Sequence, residues 1–372
     1  MEFSVFRQVL IKTLGHMQSI VEKRATLPIL MNVKIEAKDD LVLSATNVDL
    51  ELIEHVAADI TLPGKITVPV QMLYDIARKL PEDSEIKFKQ AGDQLVVSSG
   101  RAIFRLPTLP AENFPMMANA NLTTKFQMTT GDLAHLINQT KFAIPTDDVR
   151  YHLGGIYFHI TEEGKNKMLT AVATDSQRLA LCQIPAPAGS VEMPAVILPR
   201  RVIGELSKLL EDATVDDVTV ELSDTKARFT VGAATLTSKL VDAQYPNYRV
   251  VIPKGNDKIA VLDRKQFIGA VDLVSVASQD KTKSVQLEFS MNRLVINASS
   301  ADAGTATQEI DIEYNGDETF AIAFNVKFLL DIAAQVEGDK FQIEMQDSLS
   351  PTILKSKDKK TDALYILMPI RM

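Results

Sequence analysis

Tryptophan is absent from this chain and cysteine occurs once, as Cys182. One thiol allows no intrachain disulfide, so packing and hydrogen bonds must hold the fold, and a reducing compartment suits it. No paired cysteines or His-rich spacings of a zinc site occur, and the five histidines, His16, His55, His135, His152 and His159, are scattered. No apolar run reaches the roughly 20 residues that span a bilayer. The segment from Met1 to Met17 also lacks the long apolar stretch of a secretory signal. A cytoplasmic protein without a membrane partner is the expectation. The usual catalytic signatures are missing too: there is no phosphate-cradling glycine loop, no His-Glu-x-x-His and no Gly-x-Ser-x-Gly elbow. Asp147-Asp148 can be read as a metal pair, but an exposed turn after Pro145 is the plainer reading. The expectation is therefore no catalytic residue, no metal and no cofactor. Basic residues are outnumbered, 40 against 48, for a net charge of −8, which speaks against a surface that is basic throughout.

What the chain does contain is repetition. Its 372 residues exceed one ordinary domain of about 100–150 residues. A short strand leading into an amphipathic helix occurs three times. Phe3-Ser4-Val5 precedes a face of Val9, Leu10, Leu14 and Met17. Phe126-Gln127-Met128 precedes Leu133, Leu136 and Ile137, and Ile259-Ala260-Val261 precedes Phe267, Ala270, Val271 and Val274. Ser4, Thr129-Thr130 and Asp263 are the candidate caps. A second landmark, strand then breaker then helix, recurs at Pro69, Pro199 and Asn325. Phe3, Phe126 and Ile259 lie 123 and 133 residues apart; Pro69, Pro199 and Asn325 lie 130 and 126 apart. Two independent landmarks thus give three copies of one unit, expected over 1–123, 124–254 and 255–372, with polar breaks at 119–124 and 253–258. Each copy holds two helices among alternating strands, which is an α+β domain with helices packed on antiparallel sheet. Three units can close into a ring if two chains associate, or stack as a short solenoid.

Several long stretches are similar to those of the bacterial sliding clamps, the DNA polymerase III beta subunit family. They are Arg24-Ala25-Thr26-Leu27-Pro28-Ile29-Leu30, Asp148-Val149-Arg150-Tyr151, Ala173-Thr174-Asp175-Ser176-Gln177-Arg178-Leu179-Ala180, Lys239-Leu240-Val241-Asp242-Ala243-Gln244-Tyr245-Pro246-Asn247-Tyr248 and the C-terminal Tyr365-Ile366-Leu367-Met368-Pro369-Ile370-Arg371-Met372. They fall in order along almost the whole chain. The resemblance implies the DNA-clamp fold in three repeated domains and a ring-shaped, head-to-tail homodimer whose helices line the pore and whose sheets form the outer wall. It implies sequence-independent encirclement of double-stranded DNA and tethering of the DNA polymerase III alpha subunit. Clamp loader subunits, other polymerases and repair proteins would dock through short peptides. Loading would be ATP-dependent, with no catalysis by the clamp itself.

The resemblance also carries site residues. DNA contact falls to Arg24, Tyr151, His152, Arg200 and Arg201. A peptide pocket falls to Leu153, Thr174, Arg178, Leu179, Pro246, Val251, Asn325, Phe328, Ile366, Met368, Pro369, Ile370 and Arg371, with Arg178 and Arg371 as rim groups for peptide polar atoms. The contact between copies falls to Phe104 and Leu106 against the partner's Val276 and Ala277, the last two smaller than the family usually carries. His152, Gln177, Val250 and Pro351 depart from the family pattern and bear on DNA contact and peptide preference. The acidic total is unevenly placed: the six expected helices sum to +5, leaving −13 elsewhere. A basic pore inside an acidic wall would attract phosphates without stopping movement. The alternatives are a peptide-binding scaffold with no DNA role and a hydrolase built on Asp147, Asp148 or the histidines.

Overall fold

The computed structural model describes residues 1–22, 24–118, 121–147, 149–278, 283–357 and 362–371. Asn119 in the first polar break, Asp148 and Met372 lie outside them. Six helices are present among the described residues: α1 (Arg7–Ile20), α2 (Val70–Lys79), α3 (Thr130–Thr140), α4 (Arg200–Glu211), α5 (Arg264–Ser275) and α6 (Val326–Gln335). Two fall in each repeat. None is long and apolar enough to cross a membrane.

The chain forms two compact units, residues 1–134 with 187–241, and residues 135–186 with 242–372. In the first, one sheet runs in the order Asp59–Leu62, Glu2–Phe6, Glu85–Ala91, Gln94–Ser99, Ala102–Pro107, all neighbours antiparallel. A second, eight-stranded sheet begins in the second repeat and ends in the first, through Ala234–Lys239 paired with Leu50–Val56 (Leu236 opposite Leu52). The second unit is built the same way. Gly155–Glu163, Asn166–Thr174 and Arg178–Pro185 continue through Ala363–Leu367 into Thr352–Ser356 and Lys340–Met345. Its other sheet has the order Gly304–Asp311, Arg293–Ser300, Ser284–Ser290, Phe320–Asn325. Hydrogen-bonded sheet therefore runs across sequence-repeat junctions, which spares two open edges in each unit.

The repeat is visible atom by atom. The first helical residue of each copy donates its backbone N–H to the loop after the copy's second helix: Arg7 to Ser84 O at 2.9 Å, Thr130 to Asp216 O at 2.7 Å, Arg264 to Asp339 O at 2.8 Å. The strand before that helix pairs Phe3 with Phe88, Phe126 with Val220 and Ala260 with Ile343. Ala260, not Ile259, is thus the structural counterpart of Phe126. Ala260 is buried, whereas Ile259 is half-exposed.

The apolar helix faces are buried as the periodicity predicts, from Leu10, Leu14 and Met17 of α1 to Leu329, Ile332 and Ala333 of α6. Each fully buried Leu, Ile or Phe contributes about 1.5–3 kcal/mol. Val9 is the exception and faces solvent. Asp263 caps α5, accepting from Gln266 N at 2.8 Å, and Asn325 caps α6, accepting from Phe328 N at 3.2 Å. Thr129 Oγ1 accepts from Asp132 N at 2.9 Å. Ser4 does not cap: it lies in the strand and donates to Glu85 at 2.6 Å, and α1 begins after Phe6 without a side-chain cap.

Candidate functional site

The hairpin between Asn166–Thr174 and Arg178–Pro185 is closed by Asp175 and Ser176. Asp175 Oδ1 accepts the N–H groups of Gln177 and Arg178, both at 3.0 Å, and Ser176 takes φ +77°. This turn delivers Arg178 into the interior, where only 7% of it is accessible. Its guanidinium donates to Asp175 Oδ2 at 3.0 Å, Asp331 Oδ2 at 2.6 Å and the Phe142 carbonyl at 2.7 Å. The Phe142 and Phe328 rings lie 5.1 and 4.4 Å from its central carbon. Arg178 is therefore committed to its own fold and is not the rim group that the sequence suggested. A buried cation needs its charge matched on the spot, and this one is matched twice.

Past Arg178, Leu179 pairs with Ile366 across antiparallel strands and both side chains are buried. Leu153 is buried too, and Thr174 turns its hydroxyl to the Arg178 carbonyl at 2.7 Å. Met368 leaves the sheet, its N–H donating to Gln177 O at 2.9 Å, with 39% of the residue exposed. Ile370 returns to donate to Ala323 O at 2.8 Å, beside the half-buried Asn325 and Phe328. Pro369 is half-buried and Arg371 exposed. The neighbouring segment with Pro246 and Val251, both exposed, is held by aromatic stacking. The Tyr245 and Tyr157 rings lie 4.6 Å apart, Tyr157 and His159 4.4 Å, and His159 Nε2 sits 3.0 Å from the Tyr248 hydroxyl. Burial, reinforced by Arg249, lowers the His159 pKa to about 4, so this imidazole is neutral at ordinary pH. Val250, at 76% exposed, is the apolar group that sequence reasoning passed over as a mere departure from pattern.

The candidate DNA-contacting residues lie on the surface. Arg24, Tyr151, Arg200 and Arg201 are exposed and His152 is half-exposed. Arg201 also donates to the Ile20 carbonyl at the end of α1 at 2.6 Å. Arg7 donates to Ala77 O at 2.8 Å and Lys12 to Asp212 O at 2.6 Å. Three cations counted toward the helices thus also meet helix C-termini, where positive charge is stabilising. Asp147 pairs with Arg150 at 2.7 Å, which holds its carboxyl below the usual range, so the half of the acidic pair that is described serves a turn.

At the candidate contact between copies, Phe104 is exposed on Ala102–Pro107, an edge strand of its sheet. Leu106 is 1% exposed and points into the core, and Ala277 is 5% exposed. The exposed apolar residues are Leu273 and Val276, at 62% and 69%, with Ile103 beside Phe104. Leu273 was legible as an apolar position off the Phe267–Ala270–Val271–Val274 face. Beside Phe104, an apolar cleft of about 1260 Å3 is lined in part by Met72, Ile76, Ile103 and Leu109.

Family models for the DNA polymerase III beta subunit match the chain three times in order: the N-terminal domain over residues 1–118, the central domain over 127–247 and the C-terminal domain over 249–371. The chain belongs to the DNA polymerase III beta subunit family, the beta sliding clamps. It is 42% identical to the beta sliding clamp of Caulobacter vibrioides and 36% identical to that of Pseudomonas aeruginosa, each over 100% of both chains. Among solved structures, a sliding clamp from Bartonella birtlesii bound to griselimycin superposes with a TM-score of 0.96 at 40% identity. The Caulobacter crescentus pol III beta does so at 0.94 and 42%. Both cover 100% of each chain. Three repeated α+β domains, read first from spacing, are those of this clamp family.

Proposed function

We propose that two copies of this clamp close head to tail into a ring around double-stranded DNA. The ring tethers the DNA polymerase III alpha subunit and, in turn, other polymerases and repair proteins. The observation that carries this reading is the match of all three clamp domains, in order and over the full chain. The domain limits proposed are 1–123, 124–254 and 255–372. The protein works in the cytoplasm as an accessory factor without catalysis of its own, and a clamp loader opens it using ATP.

The edges supply the closure. Among the described residues, Ala102–Pro107 and Gly304–Asp311 each end a sheet, with a hydrogen-bonded strand on one side only. Pairing one copy's first edge with the other's second would remove both. Ile103 and Phe104 would then meet Leu273 and Val276 of the partner subunit. Arg24, Arg200, Arg201, Tyr151 and His152 would face the phosphates through long-range attraction, which tolerates sliding. Met368, Val250, Val251, Pro246 and the ring of Phe328 offer an adaptable apolar surface to Leu or Phe anchors of a short peptide. Met368→Ala should weaken a polymerase-derived peptide measurably in a titration and leave the dimer mass unchanged; unchanged affinity would remove Met368 from the groove.

The deciding experiment is retention on DNA. The protein is loaded onto nicked circular DNA with a matched loader, washed at high salt, and the DNA is then cut. Electrostatic binding falls steeply with salt, whereas a closed ring is held by topology. Retention through the wash with release on cutting is expected. A loaded dimer that washes off the intact circle would overturn encirclement.

A further inference from the structure

The lone cysteine is not isolated in space. Cys182 sits in Arg178–Pro185, fully buried, opposite Ala363 of the neighbouring strand. The residue just before that strand, Asp362, is anchored by Gln183 N–H donating to its carbonyl at 2.8 Å. His135, on α3, reaches the same place: its Nε2 is 3.0 Å from Asp362 Oδ2. One ligand atom from each of His135, Cys182 and Asp362 lies within 4.8 Å of the other two. On the other side of the ring, His135 Nδ1 is 3.5 Å from Glu337 Oε1. Glu337 in turn accepts from Gln139 Nε2 at 3.4 Å, and Gln139 accepts from the buried Tyr365 hydroxyl.

We propose that His135, Cys182 and Asp362 form a site for a divalent transition metal of the zinc class, with Glu337 orienting the imidazole. The donor set decides the class. One sulfur, one nitrogen and one oxygen suit zinc or cobalt, whereas magnesium and calcium take oxygen cages. With bonds of about 2.0–2.3 Å, ligand atoms around a tetrahedral ion stand roughly 3.3–3.8 Å apart, so a contraction of about an ångström from the 4.8 Å limit closes the site. A carboxylate on the far nitrogen is the usual way a ligating histidine is aimed. Water would fill the fourth position. The ligands come from a helix, a strand and the start of a second strand, and they join the second sequence repeat to the third. The ion would therefore act structurally, pinning that junction, and it would stabilise the fold by binding only the folded chain.

The test uses the full chain, stripped with chelator and titrated with Co2+. Binding should saturate at one ion per chain, with the absorption of tetrahedral cobalt and a thiolate-to-metal charge-transfer band. Zn2+ should displace the cobalt and raise the melting temperature. Cys182→Ser should remove the charge-transfer band. His135→Gln, on a partly exposed helix face, should weaken binding at least about tenfold while the circular dichroism stays that of the folded protein, and Glu337→Gln about 10–100-fold with the spectrum kept. No cobalt spectrum, or a charge-transfer band that survives both His135→Gln and Asp362→Asn, would reduce the cluster to a hydrogen-bonded trio and overturn the proposal.

Discussion

The turns at residues 46–50 and 174–178 close their hairpins with one set of bonds. Thr46 donates its hydroxyl to the Leu50 carbonyl at 3.0 Å and Thr174 does the same to Arg178 at 2.7 Å. The Asn47 side-chain oxygen accepts from the N–H groups of Asp49 and Leu50, as Asp175 does from Gln177 and Arg178. Val48 and Ser176 both sit at positive φ, +79° and +77°. What differs is the residue that the turn sends inward: apolar Leu50 in one, Arg178 in the other. That difference explains the second position. An amide suffices where only N–H donors must be met. Where an arginine follows, a carboxylate is needed, because its second oxygen accepts from the guanidinium and an amide nitrogen cannot. One scaffold thus serves a purely structural hairpin and, in the second repeat, the base of the proposed peptide groove.

The sharpest way to break the second turn is Arg178→Ala. It leaves the Asp175 and Asp331 carboxylates without their cation and should cost about 3–5 kcal/mol in denaturant unfolding. If the cost were under about 1 kcal/mol, the pair would be solvated in solution and the contrast with Leu50 lost. Next is the exchange of the second position. Asp175→Asn keeps the turn but loses an ionic acceptor and should cost roughly 1–3 kcal/mol. Asn47→Asp, where the turn sends apolar Leu50 inward, should stay within about 0.5 kcal/mol. Equal effects at both sites would mean that turn geometry alone sets this residue.

Two buried histidines extend the comparison to pH. His16 lies 2.7 Å from Glu54 and 2.9 Å from Asp212. Burial lowers its pKa, but the two carboxylates outweigh burial and the net shift is upward from 6.5. Its contribution is therefore complete below pH 6.5 and lost as pH rises through the raised value. His159 is shifted the other way, to about 4. Between pH 6.5 and 4 the unfolded state takes up a proton there that the folded state refuses, so stability falls with acid, by on the order of 1–3 kcal/mol over that window. Unfolding of His16→Gln and His159→Gln should show the two slopes removed separately, one above pH 6.5 and one below it. A pH profile unchanged by His159→Gln would mean that this ring is solvated.

The repeat was legible because burial alternates with period two in strands and returns every three or four residues in helices, and both signals occurred three times at matched spacing. Hydrogen-bonded sheet crossing from one repeat to the next was not, since strand partners far apart in sequence leave no local trace. Arg178 shows the same limit within the candidate site. Its family motif marked it as important, but only the positions of Asp331 and Phe142 reveal that its charge is spent internally. That Leu106 and Ala277 are buried within the single chain was not legible either, because exposure at a strand or helix end depends on how the chain leaves the element. His135, Cys182 and Asp362 were invisible as a cluster, having no ligand spacing along the chain.

A last pair of substitutions isolates backbone from side chain. Val48 is β-branched at φ +79°, a conformation that costs an L-residue roughly 1–2 kcal/mol, while glycine adopts it freely. Glycine also gives the unfolded chain more freedom, which returns about 0.5–1 kcal/mol. Val48 is largely exposed, so little packing is lost. Val48→Gly should therefore stabilise the first turn by up to about 1 kcal/mol, seen as a higher denaturant midpoint at unchanged slope. Ser176→Gly starts from a smaller side chain in the same conformation and also loses the Arg150 donation to the Ser176 hydroxyl at 3.0 Å, so it should be neutral or slightly destabilising. If both substitutions moved the midpoint alike, the φ value would dominate. If only Val48→Gly raised it, the strain would lie in the β-branched side chain, and the two turns would be the same in backbone and different only in what they carry.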